Sequence, residues 1–200
     1  MEDNLIYNKE KGVFVKNDPH KGDMSGLTEI LKFALIATII VLPIRMFIVQ
    51  PFVVSGTSMV PTFENGEYII VDEISYELGN IKRGDVAIFK YPEDPKKYFI
   101  KRVIGLPGET INVDGEIVTI INKENPDGFQ FEEPYVKNKG GVNTTITLGE
   151  DQFFVMGDNR AASFDSRYWG ALDAKYLVGR AYLRLLPIKD LDYLPGYFKL

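Results

Sequence analysis

The chain contains no cysteine. That absence removes disulfides, thiolate metal centres and cysteine nucleophiles together. Histidine is almost missing as well: the only one among 200 residues is His20. It lies on the far side of the one long apolar run, so no Ser-His-Asp triad can form around a hydroxyl beyond that run. A zinc centre would need mostly carboxylates, which suit zinc poorly, and no metal is expected. Positive charge is not in excess: the net charge of -5 argues against a nucleic-acid partner. With 45% hydrophobic and 26% charged residues, the composition fits one globular domain plus a membrane anchor.

The single long apolar run starts at Phe33 and reads FALIATIIVLPIRMFIVQPFVV to Val54. About 20 helical residues span a hydrocarbon core of roughly 30 Å. The pattern predicts a transmembrane helix over 27–49, kinked at Pro43, with Arg45 near the exit interface and Gln50-Pro51 as its stop. A cleaved signal peptide fits less well, because no Ala-x-Ala site precedes Val53. A buried core helix is the other alternative. Lys9, Lys11, Lys16, Lys21 and Lys32 precede or open the run, whereas only Arg45 is basic near its other end before Lys82. The positive-inside rule then puts the 1–26 tail in the cytoplasm and the main domain outside the plasma membrane. The tail is polar and lacks periodicity, which predicts disorder.

Residues 50–200 read as short β segments between turn signals, so the fold class is mainly β. Strands are expected at Tyr68–Val71, Val86–Tyr91, Tyr98–Ile104, Ile111–Val113, Glu116–Ile121, Gln152–Met156 and Leu177–Leu186. Asp114-Gly115 marks a hairpin. Short helices are expected at Asp72–Leu78 and Ala171–Tyr176, and a polar excursion over about 122–147.

Three segments can carry chemistry. Ser58 lies just beyond the apolar run, followed by Met59 and backed by the small residues Gly56 and Thr57, as an exposed nucleophile would be. Without histidine its base must be another group, and lysine leads. Lys101 sits in YFIKRVI. It reads either as an ordinary solvated strand lysine or as a base held neutral by its apolar flanks. A free lysine is neutral in only about one molecule in 2,500 at pH 7, so the second reading needs a downward shift of roughly three pH units. Gly157–Gly170, GDNRAASFDSRYWG, reads either as a loop of local side-chain to backbone bonds or as a support for the lysine.

The ordered blocks SGTSMVPTF, RGDVAIFKYP, IKRVIGLPGE and GDNRAASFDSRYWG, behind an N-terminal apolar run, resemble bacterial type I signal peptidase in its shorter, Gram-positive-like form. The resemblance implies a membrane-anchored antiparallel β domain that removes signal peptides from preproteins, cutting after small residues as in Ala-x-Ala. It implies Ser58 as nucleophile, Lys101 as general base and Ser163 as the group orienting the lysine. Asp165 and Arg167 would brace the site, and the Ser58 backbone with the Gly56 region would form the oxyanion site. Phe52, Val54, Met59, Ile69, Ile88, Phe99 and Ile100 would line the substrate pocket. The partners implied are signal peptides and the lipid bilayer, with no cofactor. Two features depart from the common pattern: Gly56 replaces a serine that some relatives use towards the oxyanion, and Ala161-Ala162 replaces a polar pair. Self-cleaving SOS repressors share a Ser-Lys dyad on a related fold, but they lack an anchor and carry a DNA-binding module. An inactive relative that binds extended peptides is the alternative from another class.

Overall fold

A computed structural model describes residues 5–8, 12–16, 24–47, 50–79 and 81–197. The chain divides into two units, Met1–Ile44 and Arg45–Leu200.

In the first unit, strands β1 (Leu5–Asn8) and β2 (Val13–Lys16) pair antiparallel, with Leu5 opposite Lys16 and Asn8 opposite Val13. These short segments lie within the tail expected to be disordered, of which residues 1–4, 9–11 and 17–23 lie outside the described residues. LIYN and VFVK are rich in β formers, and Gly12 at φ +61° accepts a turn that other residues resist. Overall polarity hid that local pattern. Helix α1 follows over Met24–Phe47 and continues through Pro43. Of the predicted 27–49 span, residues 48–49 lie outside the described residues. Leu27, Ile30, Phe33 and Ile36 are all exposed. Among the described residues no helix is long and apolar enough to cross a membrane. The side chains of residues 41–47 are not among them.

The second unit is built on antiparallel sheets. Its elements are β3 (Gln50–Val53), β4 (Tyr68–Asp72), α2 (Ile74–Glu77), β5 (Val86–Tyr91), β6 (Asp94–Gly105), β7 (Thr110–Asp114), β8 (Ile117–Ile121), β9 (Phe129–Gln130) and β10 (Thr144–Thr147). There follow β11 (Gln152–Met156), α3 (Ser166–Trp169), β12 (Leu172–Asp173), β13 (Leu177–Leu186) and β14 (Asp192–Tyr193). The larger sheet runs β12-β11-β6-β5-β13-β4-β3, with β14 also on β13; the smaller runs β10-β7-β8-β9.

The strand VAIFKY is apolar on both sides because both sides are covered. Val86 and Ile88 join a core with Val54, Met59, Phe63 and Ile69, while Ala87 and Phe89 join another with Val103, Val155 and Leu172. The β7–β8 hairpin turns at Gly115, φ +59°, whose N–H donates to Asn143 Oδ1. The polar excursion is not irregular throughout. Thr144–Thr147 pairs with β7 and Phe129–Gln130 with β8, since alternation along an edge strand needs only one buried face. Only part of Asp72–Leu78 is helical, as α2. Ala171–Tyr176 is not an α-helix: Leu172 is buried opposite Phe153 in β12, and Ala174–Tyr176 forms a single 3₁₀ turn. Tertiary pairing overrides local propensity there.

Two sheet edges position the site. β3 is the last strand of its sheet, and Pro51 is tolerated in it because an edge strand need not donate on its free side. β6 pairs with β11 only through Arg102, Val103 and Gly105, so its 97–101 stretch is unpaired on that side among the described residues.

Candidate active site

Strand alternation sends Lys101 to the same side of β6 as Phe99 and Val103, and Arg102 to the other. The two neighbouring cations meet opposite fates. Arg102 is fully buried, with Nε 2.8 Å and Nη2 2.5 Å from the two oxygens of Asp158. Its Nη1 donates to the carbonyls of Gly84 and Gly196, and the guanidinium carbon lies 3.8 Å from the Tyr135 ring centre. Lys101 is buried too, yet no carboxylate pairs with it among the described residues. Its Nζ donates to Ser58 Oγ at 2.8 Å and to the Ile100 carbonyl at 3.0 Å, and stands 5.3 Å from the Phe99 ring centre.

That environment moves the Lys101 pKa down from 10.5 to about 8. Burial is the dominant cause; the negative charges of Asp165 and Asp158 oppose it. Their opposition is limited because each faces an arginine, Asp165 with Arg167 and Asp158 with Arg102. At pH 7 about one lysine in ten is then neutral, against about one in 2,500 in solution.

The GDN segment holds the serine loop from behind. Asn159 N–H donates to the Ser58 carbonyl and Asn159 Nδ2 to the Thr57 carbonyl, both at 3.0 Å. The Thr62 hydroxyl donates to Asp158 in a very short bond. Gly157 permits this approach: a Cβ there would overlap the Ser58 carbonyl and the Ser163 hydroxyl. Asp165 caps α3, accepting from the Arg167 N–H at 3.3 Å, and takes the Gly157 N–H at 3.0 Å. Arg167 pairs with Asp165 at 2.8 Å and reaches the carbonyls of Gly140 and Arg160. Asp165 and Arg167 are thus paired with each other and hydrogen-bonded to the backbone of the surrounding loops. The contributions of Arg102, Asp158, Asn159 and Gly157 were not read from the sequence. The string KR followed by GDN was the available signal, but spacing alone gives no reason to join the two blocks.

A groove of about 500 Å³ runs from the Ser58–Lys101 pair between Phe52–Thr57 and Lys97–Ile100, with Ile69 and Ile88 in its floor. Six of the seven expected pocket residues line it. Met59 does not: it is buried in the core beneath, packed with Phe63 and Ile69. The chain turns after Ser58 so that Phe63 N–H can reach the Met59 carbonyl, and this carries the methionine inward. Ala162 and Phe164 form a further wall that sequence reasoning missed. Ser163, between them, points inward, but its Oγ is buried without a hydrogen-bond partner, so it does not contact the lysine here. The Lys101 amine is directed to Ser58 and the Ile100 carbonyl instead. At the expected oxyanion position Gly56 has φ +97°, and its N–H is already given to Asn65 Oδ1 at 2.9 Å.

Residues 27–186 match the protein-family model described as signal peptidase, peptidase S26. The chain belongs to the signal peptidase I family, whose members are serine endopeptidases. It is 33% identical over 181 residues to a probable signal peptidase I-1 of Synechocystis, covering 86% of this chain and 89% of that one. It is 36% identical over 183 residues to signal peptidase I P of Bacillus subtilis subsp. natto, covering 86% and 95%. A crystal structure of a signal peptidase I from Enterococcus faecalis is similar over 50% of this chain and 95% of that one, with 30% identity and a TM-score of 0.43.

Proposed function

We propose that this member of the signal peptidase I family cleaves signal peptides from exported preproteins with a Ser58–Lys101 dyad. One observation carries the reading: a lysine with no carboxylate partner among the described residues, its amine 2.8 Å from a serine hydroxyl, at the head of an open apolar groove. Neutral Lys101 Nζ takes the proton of Ser58 Oγ as that oxygen attacks the scissile carbonyl. The tetrahedral oxyanion is stabilised by the Ser58 backbone N–H. Lys101 then returns the proton to the leaving amine as the C–N bond breaks. A water, deprotonated by Lys101, releases the new carboxylate from the acyl-enzyme, and Ser58 regains its proton. Asp165 and Arg167 act through position, by holding the loop beneath the pair. Ser163 takes its implied role only if its hydroxyl turns to the lysine during reaction.

The open edges of β3 and of residues 97–101 support binding of the substrate as an extended strand between them. Side chains two residues apart then point to the same face. Phe52, Ile69, Ile88 and Ile100 crowd that face and leave room for small side chains, which fits an Ala-x-Ala site. Helix α1 is the anchor in this reading. Its 24 residues reach about 36 Å, more than a hydrocarbon core of about 30 Å, and eight large apolar side chains between Leu27 and Ile40 are exposed on it. The lysine-rich 1–26 tail is then cytoplasmic and the 50–200 domain extracytoplasmic. The test is hydrolysis of an Ala-x-Ala peptide by the full chain in detergent. Ser58→Ala and Lys101→Ala should each abolish it and leave the protein folded. Near wild-type rates in either variant would overturn the dyad, and no cleavage by the wild type would favour a peptide-binding relative.

A further inference from the structure

The groove has two faces, and only one is accounted for by small-residue selection. On the β6 edge, Ile100 turns towards Ile88, Ile69 and Phe52, whereas Phe99 turns the opposite way, with Lys101. On that second side lies an aromatic series. The Phe99 ring stacks on Tyr91 with centres 4.7 Å apart and planes 13° apart. Tyr91 meets the edge of Phe164 at 6.2 Å, and Phe164 contacts Tyr168 at 5.4 Å. The Tyr91 hydroxyl is tethered to Glu93 at 2.6 Å, which fixes the middle of the series.

The outer two rings are half-open to solvent, Phe164 at 50% and Tyr168 at 51% exposure. Adjacent exposed aromatics at the rim of a binding groove are the kind of surface that waits for an apolar partner. The backbone explains their placement. Ser163 is turned inward, so Ala162 and Phe164 on either side of it face the groove. Ala162 is small and leaves the space beside the Phe164 ring open.

We propose that Phe164, supported by Tyr91 and Tyr168, is a specificity-determining shelf for the residue between the two small ones of the cleavage site, selecting a bulky apolar or aromatic side chain there. The inference rests on the extended-strand binding proposed above. If the two small side chains enter the Ile69–Ile88 face, alternation sends the middle side chain to the opposite face, where Phe99 and Phe164 stand. A leucine or phenylalanine there covers ring surface that is otherwise wet. A serine or aspartate covers none and gains nothing from the contact.

The test uses the full chain in detergent with a peptide series Ala-X-Ala in which X is Phe, Leu, Ser or Asp and all else is constant. The wild type should show kcat/KM about tenfold higher for Phe or Leu than for Ser or Asp, the scale of a partly enclosed apolar subsite. Phe164→Ala should bring that ratio close to one, and Phe164→Leu should retain part of it. The ratio is taken within one variant, so a general loss of activity or folded fraction cancels. Equal rates across the series in the wild type, or an unchanged ratio in Phe164→Ala, would overturn the shelf while leaving the dyad standing. No cleavage of any member by the wild type would overturn the dyad reading, and the shelf with it.

Discussion

Lys101 Nζ stands 2.8 Å from Ser58 Oγ, while the next residue on the strand, Arg102, is paired to Asp158 at 2.5 Å in the fully buried interior. One strand thus carries two buried cations, one neutralised by a partner and the other made easier to deprotonate by the lack of one. A buried charge without a partner loses solvation that nothing returns, so the neutral form gains.

The pH profile should report that difference. With the Lys101 pKa near 8, kcat/KM for peptide hydrolysis should rise about tenfold per pH unit below 8 and level above it. The measurement is initial rates from pH 6 to 10 on one peptide. A profile flat down to pH 6 would remove Lys101 from the role of base.

The same group sets a stability dependence. Its pKa is about 8 in the folded chain against 10.5 ordinarily, so the unfolded chain binds more protons between those values. Stability therefore rises as pH climbs from 8 to 10.5, and the contribution is lost as pH falls through 8. Lys101→Met removes the cost of burying the charge. It should abolish cleavage yet raise stability at pH 7 by up to about 3 kcal/mol, with the gain shrinking towards pH 10.5. Urea denaturation of both proteins at pH 7 and pH 10 checks it.

Gly157 should be intolerant of one methyl group. Its Cβ would meet the Ser58 carbonyl and the Ser163 side chain, and backbone carbonyls cannot step aside cheaply. Gly157→Ala should lower kcat by about a hundredfold, because displacing the nucleophile loop by a fraction of an ångström spoils attack geometry. Its stability cost should be about 1–3 kcal/mol, the usual price of overpacking. Kinetics together with a thermal melt separate the two effects.

By itself the sequence determined a mainly β domain after one apolar run, most of its principal strands, and the serine and lysine proposed as the dyad. The strands VAIFKY and QFFVM are legible because burial on both faces leaves each a compact apolar run, Val86–Phe89 and Phe153–Met156. Ser58 and Lys101 are legible because the missing cysteine and the remote His20 remove their competitors, while the four ordered blocks supply the pairing. Only the tertiary structure decided what depends on contacts between distant segments. The inward turn of Met59, the unpartnered hydroxyl of Ser163 and the Gly157 approach to Ser58 are decided by how three loops pack, which no local pattern encodes. So is the contrast between Lys101 and Arg102. Side by side in the chain they are two similar cations, and only the fold brings Asp158 from 56 residues away to one of them.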